Sequence, residues 1–135
     1  MTDPLQLLRE SHTIAMVGAS PNPAKPSHGV MRYLLDAGYR VIPVRADGCA
    51  EVHGVPCVSS LHEIDEPIDM VDVFRRPEFC PPHAREAVEV GAKSLWLQLG
   101  IRSDESRRIA EAGGLAYVED ACTAALHARH LAHNS

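Results

Sequence analysis

Thr13-Ile14-Ala15-Met16-Val17-Gly18-Ala19-Ser20 is the stretch on which the reading of this chain turns. Thr13 to Val17 make a short, largely apolar run, the pattern of a strand buried on both faces. Gly18 ends it, and the proline-rich loop Pro21-Asn22-Pro23-Ala24-Lys25-Pro26 leads to a helix expected to start near Ser27. A buried strand that passes through a glycine turn into a helix start is a physical device for holding an anion. Glycine lets the backbone come close, and the unpaired N–H groups of the first helical turn point at the ligand with the helix dipole behind them. The turn lacks the second and third glycines of G-x-G-x-x-G and the Gly-Lys-Ser/Thr of a P-loop. A tight turn without a ligand therefore stays open as an alternative.

Outward from this turn the chain alternates strand and helix. Strands are expected at about 39–44, 69–74, 94–99 and 115–118, with Val55-Pro56-Cys57-Val58 as a short edge strand. Helices are expected over 3–11, from Ser27 to Ala37, over 77–91, from Ser103 to Gly113 and over 121–132, with a short one at 59–64. Asp3 and Pro4 suit a helix start, and Gly38 falls where a C-terminal glycine belongs. The regular βα alternation with short connections predicts an α/β, Rossmann-like three-layer sandwich around a mostly parallel five-stranded sheet. Ligands in such sheets bind beyond the carboxyl ends of the strands. That rule gathers Gly18, Ala19, Ser20 and Pro21, then Arg45, then Phe74-Arg75-Arg76-Pro77, then Leu97-Gln98-Leu99 and Gly100, with Asp120 to Cys122 beside them.

The chain has 135 residues, 45% of them hydrophobic, with a formal charge of −5. That length predicts one domain spanning 1–135. The acidic balance disfavours a duplex nucleic acid as partner. No apolar run reaches membrane-spanning length and Met1 to Glu10 has no signal-peptide core, so a cytoplasmic protein without a membrane partner is expected. The cysteines Cys49, Cys57, Cys80 and Cys122 form no C-x-x-C pair and no zinc spacing, and reduced thiols are expected. His127, His130 and His133 recur every third residue, a spacing that reads as a solvated helix face rather than a metal site.

The ligand candidates carry a common chemistry. Lys25, Ser27 and His28 lie beside the helix start, where Ser27 either caps the helix or offers its hydroxyl to a phosphate. Arg75 and Arg76 offer donor forks suited to phosphate, and Phe74 a flat apolar face. The same residues also fit a core phenylalanine with surface arginines. A dinucleotide enzyme expects Asp or Glu at the end of the second strand. This chain has Arg45 there, which argues against NAD and for a phosphorylated ribose, with a plain surface arginine as the open alternative. Catalytic candidates are thin: Cys122 and His127 fall on different helix faces, and nothing completes a triad with Asp120.

These residues, in this order, resemble the small stand-alone CoA-binding proteins with a Rossmann-like fold, similar to the N-terminal CoA-binding domain of the succinyl-CoA synthetase alpha subunit. The likeness runs from about residue 12 to 131. It rests on Ile14 to Ser20, Lys25-Pro26-Ser27-His28, Gly38 to Val44, Val71-Asp72-Val73-Phe74-Arg75-Arg76-Pro77, Gly91-Ala92-Lys93, Trp96-Leu97-Gln98, and Cys122 with His127. It implies binding of coenzyme A or an acyl-CoA, with Gly18 to Pro21 on the pyrophosphate and Arg40 near the CoA phosphates. By the same likeness, Phe74 to Pro77 and Leu97 to Leu99 flank the nucleotide or the pantetheine arm. The chain departs from that pattern at Arg45-Ala46, where the family often has Asn-Pro, and at Ala121, where it often has Arg. A non-catalytic CoA-binding module is the leading expectation. A small nucleotide-dependent oxidoreductase or transferase, a redox-regulated interaction domain, and a homo-oligomer or protein partner stay open.

Overall fold

A computed structural model describes residues 2–132. The element order is α1 (Pro4–Glu10), β1 (Thr13–Val17), α2 (Pro26–Asp36), β2 (Arg40–Val44), β3 (Glu51–Val52), β4 (Val55–Pro56), β5 (Met70–Val73), α3 (Cys80–Glu89), β6 (Ser94–Leu97), α4 (Asp104–Ala112), β7 (Ala116–Val118) and α5 (Thr123–His130). Five strands form one sheet in the order β2-β1-β5-β6-β7, and every pairing in it is parallel. The architecture is the Rossmann-like α/β fold expected from the alternation. The strand order reverses between β1 and β5, so their carboxyl ends part and leave a crevice.

The period of two along each strand divides the core. Ala15, Val17, Val71, Val73, Leu95 and Leu97 face Cys80, Ala84 and Ala87 of α3 and Ala110 of α4. Ile14, Met16, Met70, Trp96 and Val118 face Leu8 of α1, Met31 and Leu34 of α2, and Leu126 of α5. Trp96 is fully buried, and its Nε1 donates to the Ala121 carbonyl at 2.8 Å, which fastens the start of α5 to the sheet.

Local chemistry sets the boundaries. Asp3 caps α1 by accepting from Leu5 N–H, and Ser103 caps α4 by accepting from Ser106 N–H. The first helix after Gly18 starts one residue earlier than expected. Pro26 takes its first position and Lys25 the cap position, with no side chain capping it, while Ser27 is buried in the first turn. The helix expected over 77–91 begins as a 3₁₀ turn, Pro77–Phe79, and becomes α-helical at Cys80, because Pro81 and Pro82 are tolerated only in the first turn. The helix expected at 59–64 is a 3₁₀ turn, Leu61–Glu63. No helix among the described residues is long and apolar enough to cross a membrane.

Two expectations are corrected at residues 45–58. The edge strand at 55–58 is instead half of a separate antiparallel hairpin, β3 with β4, which packs against the core, and Val58 pairs with the main sheet through a bridge to Val44. His53 and Gly54 turn the hairpin, both at positive φ, as a two-residue loop between twisted strands requires. The thiols are not all free: Cys49 and Cys57 are joined in a disulfide, with Cα atoms 5.7 Å apart. Their separation of 8 in sequence gave no pairing signal until the hairpin folded the ends together.

Gly18 is the tightest point of the fold. Its φ is +85°, and a Cβ there would lie 2.7 Å from the Phe74 carbonyl oxygen. Both the left-handed backbone and the contact exclude a side chain. Gly18→Ala is expected to destabilise the protein by about 2 kcal/mol, measured by thermal unfolding. A melting temperature within about a degree of the wild type contradicts this packing.

Candidate functional site

The crevice at the carboxyl ends opens into a cavity of about 1180 Å³. Pockets for drug-sized ligands run from about 300 to 1,000 Å³, so this one suits an extended ligand. Its floor is the Gly18 turn. There the Ser20 hydroxyl accepts from Asn22 N–H at 3.1 Å, and Asn22 Oδ1 accepts from Ala24 N–H at 2.9 Å. These side-chain turns hold the loop that delivers Lys25, Pro26 and Ser27 to the cavity wall. The start of α2, with no side chain capping it, is part of that wall, and the positive end of the helix dipole there favours an anion.

Arg45, at the end of β2, also lines the cavity. It donates to the Ala19 carbonyl at 3.1 Å and forms a fork with Asp47 at 3.1 and 3.3 Å, which ties β2 to the Gly18 turn. Phe74, Arg75, Arg76 and Pro77 follow β5 and line the opposite side. Phe74 does two jobs, packing against the α2-side core while presenting to the cavity. The Arg75 and Arg76 guanidiniums lie over the Phe79 ring, 4.6 and 5.4 Å from its centre. Lys25, Arg75 and Arg76 have no ion-pair partner among the described residues.

The sequence reading missed His83 and Glu86, which also line the cavity. Arg75 Nη1 lies 3.3 Å from His83 Nε2, and His83 Nδ1 lies 3.1 Å from Glu86 Oε1. An arginine can only donate, so Nε2 accepts and the imidazole proton sits on Nδ1, toward the carboxylate. Burial lowers the His83 pKa, with the Arg75 charge adding to it, and that keeps the ring in this neutral form. The spacing of His83 and Glu86, three apart on α3, was the signal available.

Gln98 closes the far end. It is 4% exposed, and its Nε2 donates to Asp72 Oδ1 at 2.7 Å and to Thr123 Oγ1 at 2.9 Å. Cys122, Gly100 and Ile101 line the wall beside it, and Leu99 sits exposed on the rim. Asp120 holds the adjacent loop by accepting from Gly100 N–H and Arg102, contacts that keep its carboxyl below the usual range.

Not every expected residue arrives at the cavity. Arg40 begins β2, at the amino end of the sheet opposite Thr13, and its guanidinium forks onto Glu66 at 2.8 and 3.0 Å. Parallel strands put it at the wrong end of the sheet, so it leaves the candidate set. His28 lies on the first turn of α2, its ring 4.0 Å from that of His53 and its carbonyl accepting from His53 Nε2. Leu97 is fully buried against α3, and Ala19 is buried on the α2 side, contributing only backbone. Among the described residues no group of three or more His, Cys, Asp or Glu could hold a metal ion. His127 instead bonds the Tyr33 hydroxyl at 2.9 Å, and His133 lies outside the described residues.

Residues 12–128 match the model of the CoA-binding domain family. The chain belongs to this family. The CoA-binding domain chain is 42% identical over 123 residues to the protein YneT of Bacillus subtilis (strain 168), covering 91% of this chain and 90% of the relative. Among solved structures it is similar to a hypothetical protein from Pyrococcus horikoshii OT3, at 35% identity and a TM-score of 0.92, covering 97% of this chain and 93% of the other. It is also similar to cell-free ID.343 from Thermus thermophilus, at 36% identity and a TM-score of 0.88, over 95% and 98% of the two chains.

Behind this cavity Asp72 is wholly buried, and burial pushes its carboxyl up to about 7 from an ordinary 3.8. The folded value lies above the unfolded one, so folding favours the protonated form. The stability this contributes is present in full below about pH 4 and is lost as the pH rises through 7. Asp72→Asn removes the titration. The unfolding free energy of this variant minus that of the wild type is expected to grow from about pH 4 to 7 and then level off, measured by urea unfolding across pH. A difference that is constant over this range contradicts the assignment.

Proposed function

We propose that the cavity binds coenzyme A or an acyl-CoA and that this domain is a binding module rather than a catalyst. The observation that carries the reading is the set Lys25, Arg75 and Arg76, cations that line the cavity with no ion-pair partner among the described residues. Arg40 and Arg32, away from the cavity, pair with Glu66 and Asp36. Cations left unmatched beside a helix start suit a ligand that brings several phosphate charges. The family supports the CoA identity, and the cavity volume of about 1180 Å³ leaves room for both the nucleotide and the pantetheine arm.

The commitments of the titratable groups around the cavity support binding over catalysis. His83 is engaged on both nitrogens, Asp120 holds the Gly100 loop, and Asp72 is held by Gln98 and Thr123. The Cys80 thiol faces the Arg75 and Arg76 carbonyls, and burial pushes it up to about 11, far from a thiolate at neutral pH.

Titration calorimetry with CoA tests the reading directly. Binding is expected in the micromolar range. The double variant Lys25→Ala, Arg76→Ala is expected to weaken it by about tenfold or more, with a smaller difference at high salt. No heat at high micromolar CoA would overturn the proposal.

A further inference from the structure

Asp72 is a carboxylate in the middle of a parallel sheet, between Met16 on one neighbouring strand and Trp96 on the other. It has no exposed surface and no cationic partner among the described residues. A buried polar node of this kind can often be replaced by apolar side chains without loss of stability. Its neighbours in the layer are already apolar. Stability therefore does not account for the carboxylate, and its contacts point elsewhere.

Those contacts form a closed triangle. Gln98 Nε2 donates to Asp72 Oδ1 at 2.7 Å and to Thr123 Oγ1 at 2.9 Å, and Thr123 Oγ1 donates to Asp72 Oδ2 at 3.2 Å. Above about pH 7, where Asp72 is ionised, its carboxylate only accepts, and the Thr123 hydroxyl spends its one proton on it. Both amide protons of Gln98 are thus drawn inward. The planar amide then turns its carbonyl oxygen the other way, and Gln98 borders the cavity. No buried side-chain nitrogen or oxygen among the described residues lacks a partner, so the triangle is fully satisfied as it stands.

We propose that Asp72 is a positioning residue that, together with Thr123, fixes the Gln98 amide so that its carbonyl oxygen accepts from an amide N–H of the ligand's pantetheine arm. The proposal rests on the CoA reading above. The cavity supports the assignment of the two ends of the ligand. Arg45 and Lys25 gather at the β2 and β1 end, where phosphates belong, while Gln98 and Cys122 at the β6 end are uncharged polar groups suited to a neutral diamide. Without Asp72 the amide of Gln98 is free to flip and present donors, which repel an N–H instead of accepting it.

The experiment compares CoA with adenosine 3′,5′-bisphosphate, which keeps the charged nucleotide and lacks the amide arm, by calorimetry at mildly alkaline pH. Proton exchange of the Gln98 side-chain amide is followed by NMR on the same samples. Asp72→Leu is expected to weaken CoA about tenfold and leave the bisphosphate unchanged. Asp72→Asn, which keeps an acceptor oxygen, is expected to recover most of the loss. Gln98 protons that exchange slowly in the wild type are expected to exchange fast in Asp72→Leu. Equal losses for the two ligands, or no loss for CoA, overturn the proposal. If the wild type binds neither ligand, the CoA reading fails and the ligand contact with it. The spectra still decide the orienting role, which fast exchange in the wild type refutes. Should Asp72→Leu fail to fold, Thr123→Val removes one acceptor. It is then expected to speed exchange of the Gln98 amide and to weaken CoA about threefold.

Discussion

The backbone of Gly18 passes beneath the Phe74 carbonyl with room for a hydrogen and nothing larger. That contact joins the ends of β1 and β5, the two strands between which the order of the sheet reverses. Everything in the cavity is arranged from there. Gly18 N–H donates to the Val44 carbonyl, and Phe74 N–H donates to Val17, so the three strand ends are held in one plane. The loop after Gly18 then carries Lys25 and the start of α2 to one wall, and the chain after Phe74 carries Arg75 and Arg76 to the other.

Charge is sorted rather than balanced. The chain is acidic overall, at −5, yet Lys25, Arg75 and Arg76 line the cavity with no ion-pair partner among the described residues, while Arg40 is paired with Glu66. A cavity with low-dielectric walls focuses such a field, so the local potential there opposes the net charge. Arg75 is held by the neutral His83, and Phe79 lies under both guanidiniums. The arginines are thus placed without a carboxylate to neutralise them. This is the physical difference between Arg75, beside the neutral His83, and Arg40, spent on Glu66.

The alternation of strands and helices was legible because local chemistry announces it. Thr13 to Val17, Gly38 after a helix, and Ser103 before one behave in the fold as their residue types dictate. So was the gathering of Gly18, Ser20, Arg45, Phe74 to Pro77, Gln98 and Leu99 around one cavity, since a parallel sheet puts all its strand ends together. Long-range partnership was not legible. Nothing local says that Cys49 meets Cys57, that Asp72 meets Thr123 across the sheet, or that His83 supports Arg75. Arg40 stands apart for a related reason: its expectation rested on a family likeness, while its place at the start of a strand keeps it away from this cavity.

The central claim is that the carboxyl-end cavity, and no other surface, takes the ligand. Mapping backbone amide shifts on addition of CoA tests it most directly. The account predicts shifts at Gly18, Ser20, Lys25, Arg75 and Gln98 and at the start of α2, with Arg40 and Glu66 unmoved. Shifts centred on Arg40 and the amino ends of the strands, with the Gly18 turn silent, would contradict it.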